Sequence, residues 1–147
     1  MKTDLTAAGY IFSGDKVLLI HHKKLDLWLG VGGHIEENET PDEALKREIM
    51  EETSLEIEIL CRSTLPVEGN TRRHLANPFH VNVHSVGDHD HCCFYYVCKA
   101  LNPEAIKANG ELKGFKWFSA EGLKDELVPP DVRAQALEAF RIYGAMK

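Results

Sequence analysis

Residues 33 to 55 read GHIEENETPDEALKREIMEETSL. Inside this stretch, Thr40-Pro41-Asp42-Glu43 places a hydroxyl N-cap, a proline at the first helical position and a glutamate at the third, which predicts a helix starting at Thr40. Good helix formers fill Glu43 to Glu52. Thr53-Ser54 and the β-branched residues Ile57 and Ile59 then end it, so the expected span is about 40–53. At about 100° per residue, Glu48, Glu51 and Glu52 share one third of the helix circumference. Leu45, Ile49 and Thr53 form the apolar arc beside Glu52 and away from Arg47, which puts Glu52 at the edge of the core.

Working outward, Leu5 to Phe12 and Val17 to His21 read as strands joined by the turn-forming Ser13-Gly14-Asp15-Lys16, an antiparallel hairpin. Leu27 to Gly33 is apolar and ends in glycines, which predicts a tight loop. After the helix, Leu55 to Cys61 reads as a strand and residues 62 to 79, with Pro66, Gly69, Asn70 and Pro78, as a long surface loop. His80 to His84 and His89 to Cys98 alternate around Ser85-Val86-Gly87-Asp88 and predict a second hairpin. Cys93, Tyr95 and Val97 alternate with Cys92, Phe94, Tyr96 and Cys98, the pattern of a strand buried on both faces. Phe115 to Phe118 is a late strand. Beyond Pro129-Pro130-Asp131, the apolar positions Val132, Ala136, Leu137, Phe140 and Tyr143 recur at helical spacing and predict a C-terminal helix at about 131–145. Strands, a central helix, more strands and a final helix make an α+β fold with a mixed β-sheet, and 147 residues suit a single domain spanning 1–147.

Like charges at i, i+3 and i+4 repel, by a few tenths of a kcal/mol per exposed pair. A hard divalent cation such as Mg²⁺ or Mn²⁺ offsets that repulsion and bridges carboxylates to phosphate oxygens. Taken alone, the helix also reads as a solvated face with a Glu43–Arg47–Glu51 ladder. The flanking Gly32-Gly33 favours the metal, because the bare backbone can approach an ion and offer it carbonyl oxygens.

Gly33, Glu39, Arg47-Glu48-Ile49, Glu51-Glu52 and Leu55 reproduce, at every spacing, the Nudix box G-x5-E-x7-R-E-U-x-E-E-x-G-U, in which U is a bulky apolar residue. The chain thus resembles the Nudix hydrolase (MutT-like) family. Ser54 is its single departure, standing where the pattern has glycine at a helix C-terminus with positive φ. A non-glycine residue there costs on the order of 1 kcal/mol and removes no ligand. The resemblance extends loosely over most of the chain, including Trp117-Phe118-Ser119-Ala120-Glu121 before the final helix. It implies an α/β/α sandwich, the Nudix fold, and metal-dependent hydrolysis of a diphosphate bond in a small nucleoside diphosphate-linked substrate, with Mg²⁺ (or Mn²⁺) as cofactor. Among such substrates are a (d)NTP, a nucleotide sugar and ADP-ribose. Carried over by position, the Gly33 carbonyl, Glu51 and Glu52 become metal ligands, and Glu48 a ligand or the general base. Glu39 and Arg47 become an ion pair that orients the catalytic helix. Glu111 follows Asn109-Gly110 at a place where relatives carry an acidic loop residue, and is a second candidate for the base.

Five of the eight histidines, His74, His80, His84, His89 and His91, fall between residues 74 and 91. In the proposed hairpin His80, Asn82 and His84 share a face, as do His89 and His91. They read as a polar wall contacting the substrate, or as a second metal site, against which stands the lack of a zinc-like spacing. Trp28 reads as core, or as a platform for a base.

Net charge is −6 and the pI about 5.7, with Lys and Arg scattered, so extended nucleic acid is not an expected partner. No apolar run reaches the roughly 20 residues that cross a bilayer, so no membrane partner is expected. Four cysteines without a C-x-x-C pair or a secretory signal suit a reducing cytoplasm. A homodimer is one assembly the sequence leaves open. The alternative to hydrolysis is a nucleotide-binding sensor of the same fold that leaves its ligand intact, and the complete set of box carboxylates argues against it.

Overall fold

A computed structural model describes residues 1–146; only Lys147, the last residue of the expected domain, lies outside them. Strands β1 (Thr3–Ser13) and β2 (Lys16–His22) form the expected hairpin, with Ile11 opposite Leu18 and Ser13 opposite Lys16. Then come β3 (Trp28–Leu29), β4 (Val31–His34), the helix α1 (Pro41–Thr53) and β5 (Ile57–Ile59). The second hairpin follows as β6 (His80–Ser85) and β7 (Asp90–Ala100), then β8 (Leu112–Phe118) and the helix α2 (Pro130–Ala145).

All eight strands join one mixed sheet. β1 and β7 run parallel from Thr3–Asp90 to Phe12–Lys99, and every other pairing is antiparallel. Along its other edge β1 is shared: residues 6–9 pair with β4, and residues 11–13 pair with β2. The sheet therefore forks where β1 passes from β4 to β2. β7 divides in the same way, pairing first with β6 and then with β5.

Each face of the sheet carries one helix. Ala7, Ile11, Leu18, Ile20, Tyr96 and Cys98 pack with Leu45 and Ile49 of α1. Tyr10, Phe12, Leu19, Cys93, Tyr95 and Val97 pack with Val132, Ala136 and Ala139 of α2. β7 is thus buried on both faces in the alternation its sequence shows, and the architecture is the expected α/β/α sandwich.

α1 begins as its residues dictate. The Thr40 hydroxyl accepts from the Glu43 N–H at 3.2 Å, and the Thr40 N–H donates to the Glu43 carboxylate at 3.0 Å. It ends at Ser54, whose φ of +63° is the left-handed value that glycine adopts without strain.

Three expectations are corrected. The glycine run is a strand rather than a tight loop: Gly32 and Gly33 lie in β4 opposite Ala8 and Ala7, and neither has positive φ. The strand expected over Leu55 to Cys61 is only Ile57–Ile59, because Cys61 turns to φ +64° and the chain leaves the sheet. On α2, Leu137 faces outward at 45 % exposure, and the buried position of that turn belongs to Gln135, which accepts a 2.6 Å hydrogen bond from the Tyr10 hydroxyl.

Candidate active site

α1 rests on β1 and β4, and glycines let it come close. A Cβ on Gly9 would lie 3.3 Å from Ile49 Cδ1 and 3.5 Å from Leu45 Cδ1. One on Gly32 would lie 2.1 Å from the Ala7 carbonyl oxygen, and one on Gly33 2.4 Å from the Glu48 carboxyl carbon. Glycine is thus required in β4 for close approach: Gly32 fits against the β1 backbone and Gly33 against a side chain of the box.

Arg47 is the hub of the helix. Its Nε and Nη2 donate to the two Glu39 carboxylate oxygens at 2.7 and 3.0 Å, the bidentate geometry that holds both side chains in one orientation. Nη1 donates to Glu48 at 2.9 Å and lies 3.5 Å from Glu51, and Nη2 also reaches the His34 carbonyl at 3.0 Å. The hydrogen bonds from Arg47 and from the Glu36 N–H hold the Glu39 carboxyl down at about 2. The alternative ladder is only half formed, because the Glu43 carboxylate is spent on the helix cap rather than on Arg47.

Glu52 is the site's most perturbed group. It is 8 % exposed, and one carboxylate oxygen, Oε1, is buried with no hydrogen-bond partner. Burial first, then the charges of Glu48, Glu111 and Glu51, push its carboxyl up to about 8, and a hydrogen bond from the Gly32 N–H offsets part of this. Glu51, by contrast, is 58 % exposed, and Glu48 is partly buried. The oxygen of Glu52 that no protein donor satisfies, in a nest of carboxylates beside a bare glycine strand, fits a divalent cation.

The loop before β8 brings Glu111 to the same place. The Asn109 N–H donates to the Glu52 carbonyl at 3.0 Å and the Lys107 N–H to the Thr53 carbonyl at 2.9 Å, so the loop is pinned to the C-terminal turn of α1. The Glu111 charge adds to the upward shift of Glu52, and at His22 it opposes the burial that pushes the imidazole down. For His22, burial wins over this charge and the net shift is downward. Sequence reasoning missed His22, which belongs to no motif and reaches Glu111 only through the pairing of β2 with β8, where His22 stands opposite Leu112.

The other residues of interest lie on the α2 face. Trp28 packs edge-on to Phe118 at 5.2 Å and beside His21 at 4.6 Å, as part of that core. His80 lines a groove with Phe79, Asn82, Asp131, Gln135 and Glu138 between β6 and α2. His84 stands directly opposite His91 across the hairpin. His89 and His91 gather with Asp4 and His34, two residues the sequence reading did not single out.

A forked mixed sheet between two helices, one of them presenting a carboxylate cluster beside a glycine strand, defines a class of hydrolases. The chain matches the NUDIX domain family model over residues 2–140. It is similar to a solved hydrolase of the NUDIX family from Clostridium perfringens, with 32% identity and a TM-score of 0.82 over 97% of this chain and 99% of that one. More distant likenesses are the MutT protein from Methanosarcina mazei Go1 and a NUDIX hydrolase from Nitrosomonas europaea. The first has 15% identity and a TM-score of 0.72, covering 97% and 95% of the two chains. The second has 19% and 0.69, covering 96% and 90%. The chain belongs to the NUDIX family and is a Nudix hydrolase. Such enzymes hydrolyse compounds in which a nucleoside diphosphate is linked to another group, and in general they use a divalent metal. Among the described residues, no helix is long and apolar enough to cross a membrane.

Proposed function

We infer that the chain, residues 1–147 as one domain, is a Mg²⁺- or Mn²⁺-dependent diphosphohydrolase of small nucleoside diphosphate-linked molecules. The observation that carries this reading is the buried, unpartnered oxygen of Glu52 within a cluster of carboxylates. Glu51, Glu52, Glu48 and the Gly33 carbonyl would hold the metal. When bound, the cation neutralises charge on the diphosphate and makes an oriented water more acidic.

The chain's own residues divide the remaining work. Arg47, held bidentately by Glu39, fixes the Glu48 carboxylate against Gly33 and ties the end of β4 to the helix through the His34 carbonyl. The Glu111 carboxylate has no hydrogen-bond or ion-pair partner among the described residues, while its loop is anchored on α1. It is therefore the better placed of the two candidates to accept the proton of the attacking water, with Glu48 engaged by Arg47. No nucleophilic side chain is needed, and none of the four cysteines lies on α1. Their free thiols suit a reducing compartment such as the cytoplasm.

The test is a Mg²⁺-dependent screen of nucleoside triphosphates, nucleotide sugars, dinucleoside polyphosphates and ADP-ribose, with products identified by mass. Release of phosphate, pyrophosphate or a nucleoside monophosphate from a panel member, lost in Glu52→Gln, is the expected result. Recovery of every compound intact, with one of them tightly bound, would instead make the protein a sensor.

A further inference from the structure

On the sheet face opposite the box helix, three chain segments bring imidazoles and a carboxylate to one point. Asp4 comes from the start of β1, His34 from the end of β4, and His89 and His91 from the β6–β7 turn and the start of β7. Candidate ligand atoms of all four lie within 4.8 Å of one another. The same oxygen, Asp4 Oδ2, is 3.1 Å from His34 Nε2 and 3.3 Å from His89 Nε2. The His91 ring stands 5.0 Å from that of His34 and 5.2 Å from that of His89.

We propose that Asp4, His34, His89 and His91 form a second metal site, distinct from the box, for a Zn²⁺-like cation. Three imidazoles and one carboxylate are the donor set of Zn²⁺ and its neighbours, whereas Mg²⁺ prefers oxygen alone. A carboxylate at the centre of the imidazoles repels phosphate, so the cluster selects a cation rather than part of an anionic substrate. The surroundings are those of ligating histidines: His89 turns Nε2 inward while its Nδ1 is held by the Asp88 carboxylate at 2.6 Å. Lys2 lies 3.5 Å from the other Asp4 oxygen, Oδ1, and leaves Oδ2 to the histidines.

Tetrahedral coordination with bonds of about 2.0–2.1 Å puts ligand atoms roughly 3.3 Å apart. Closing from 4.8 Å asks for small side-chain rotations, and the His34 side chain, 56 % exposed and meeting other members of the cluster through its ring, can make them together with its partners. Four protein ligands leave no open position, which makes the ion a clip rather than a catalyst. The clip joins β1, β4 and the β6–β7 turn beside His34, the residue whose carbonyl receives Arg47.

The experiment uses tag-free, chelator-stripped full-length protein. Zn²⁺ is titrated by calorimetry, Co²⁺ by visible absorption, and melting is followed with and without Zn²⁺. The expectation is one tightly held ion per chain besides any ion on the box carboxylates, a tetrahedral Co²⁺ spectrum and a Zn²⁺-dependent rise in Tm that persists in Glu51→Gln. His91→Ala and His34→Ala should each weaken binding of the tightly held Zn²⁺ by about a hundredfold or more, while Glu51→Gln leaves that ion in place. Should His91→Ala fail to fold, the exposed His34 supplies the same comparison. Absence of tight binding at micromolar Zn²⁺, tight binding that survives both histidine changes, or tight binding lost in Glu51→Gln would each overturn the proposal.

Discussion

At the scale of single residues, two box positions separate chemistry from stability. Glu52 is kept nearly buried with an oxygen that no protein donor satisfies, and its replacement by glutamine removes a charge the metal-free fold does not want. Glu52→Gln is expected to lower Mg²⁺-dependent turnover by at least about a hundredfold while raising the Tm of the metal-free protein. A variant that loses activity and stability together would instead mark Glu52 as a packing residue. Gly33→Ala tests the neighbouring contact, since its Cβ would lie 2.4 Å from the Glu48 carboxyl carbon, the far end of a flexible side chain. Glu48 can swing away, so the cost in stability is about 1 kcal/mol, but the swing takes it out of the site. Turnover should fall far more than the melting temperature, and kinetics beside thermal melting of one preparation reads both. These roles were legible in the sequence because the box spacing sets the helix geometry. Glycine's reason in β4 was not, since only the β1–β4 register shows that Gly33 faces Glu48 and Gly32 faces the Ala7 backbone.

At the scale of elements, α1 is a helix whose start is well specified and whose end is strained. The reciprocal Thr40–Glu43 bonds predict that Thr40→Ala costs about 1 kcal/mol. Ser54, at φ +63°, predicts the reverse: Ser54→Gly should stabilise by about 0.5–1 kcal/mol, because glycine enters the left-handed region without a Cβ penalty. Denaturant unfolding of both variants checks the pair, and a destabilised Ser54→Gly would mean that the serine makes up for its strain elsewhere. The cap, the C-terminal serine and the two-faced β7 could all be read from local pattern, which is why their expected bounds fall within a residue or two of the structure. β4 is not legible locally because the apolar run from Leu27 ends in glycines, and only its pairing with β1, set by residues about 25 positions earlier, makes it a strand. The Asp4–His34–His89–His91 cluster was hidden for the same reason. It is assembled by register between strands distant in sequence, so no spacing of histidines along the chain announces it.

At the scale of the whole molecule, the two carboxylates that bracket α1 pull stability in opposite directions with pH. Glu39, held down at about 2 by Arg47, stabilises the fold above the ordinary range near 4.5 and loses that contribution as pH falls towards 2. Glu52 has the opposite sign. Its folded carboxyl, pushed up to about 8 from an ordinary 4.5, holds a proton that the unfolded chain has already released, so stability declines as pH rises between those values. The decline is on the order of a few kcal/mol, because the burial that penalises the charge is nearly complete. Of the two, neither opposes folding at about pH 5, while the depressed His22 and His91 add stability as pH rises towards the ordinary imidazole range, so the alkaline decline is read as the difference between the parent and Glu52→Gln. A divalent cation on Glu51 and Glu52 favours the ionised carboxylates and should recover the alkaline side, giving a Tm at about pH 8 that rises with Mg²⁺ concentration. Melting curves from about pH 4 to 9, with chelator and with Mg²⁺, measure this directly. In Glu52→Gln the alkaline decline should vanish and Mg²⁺ should add little. A metal-free profile in which the parent and Glu52→Gln run parallel between about pH 5 and 8 would show that the carboxylate cluster is hydrated and relaxed in solution, and that its buried charge does not drive metal binding.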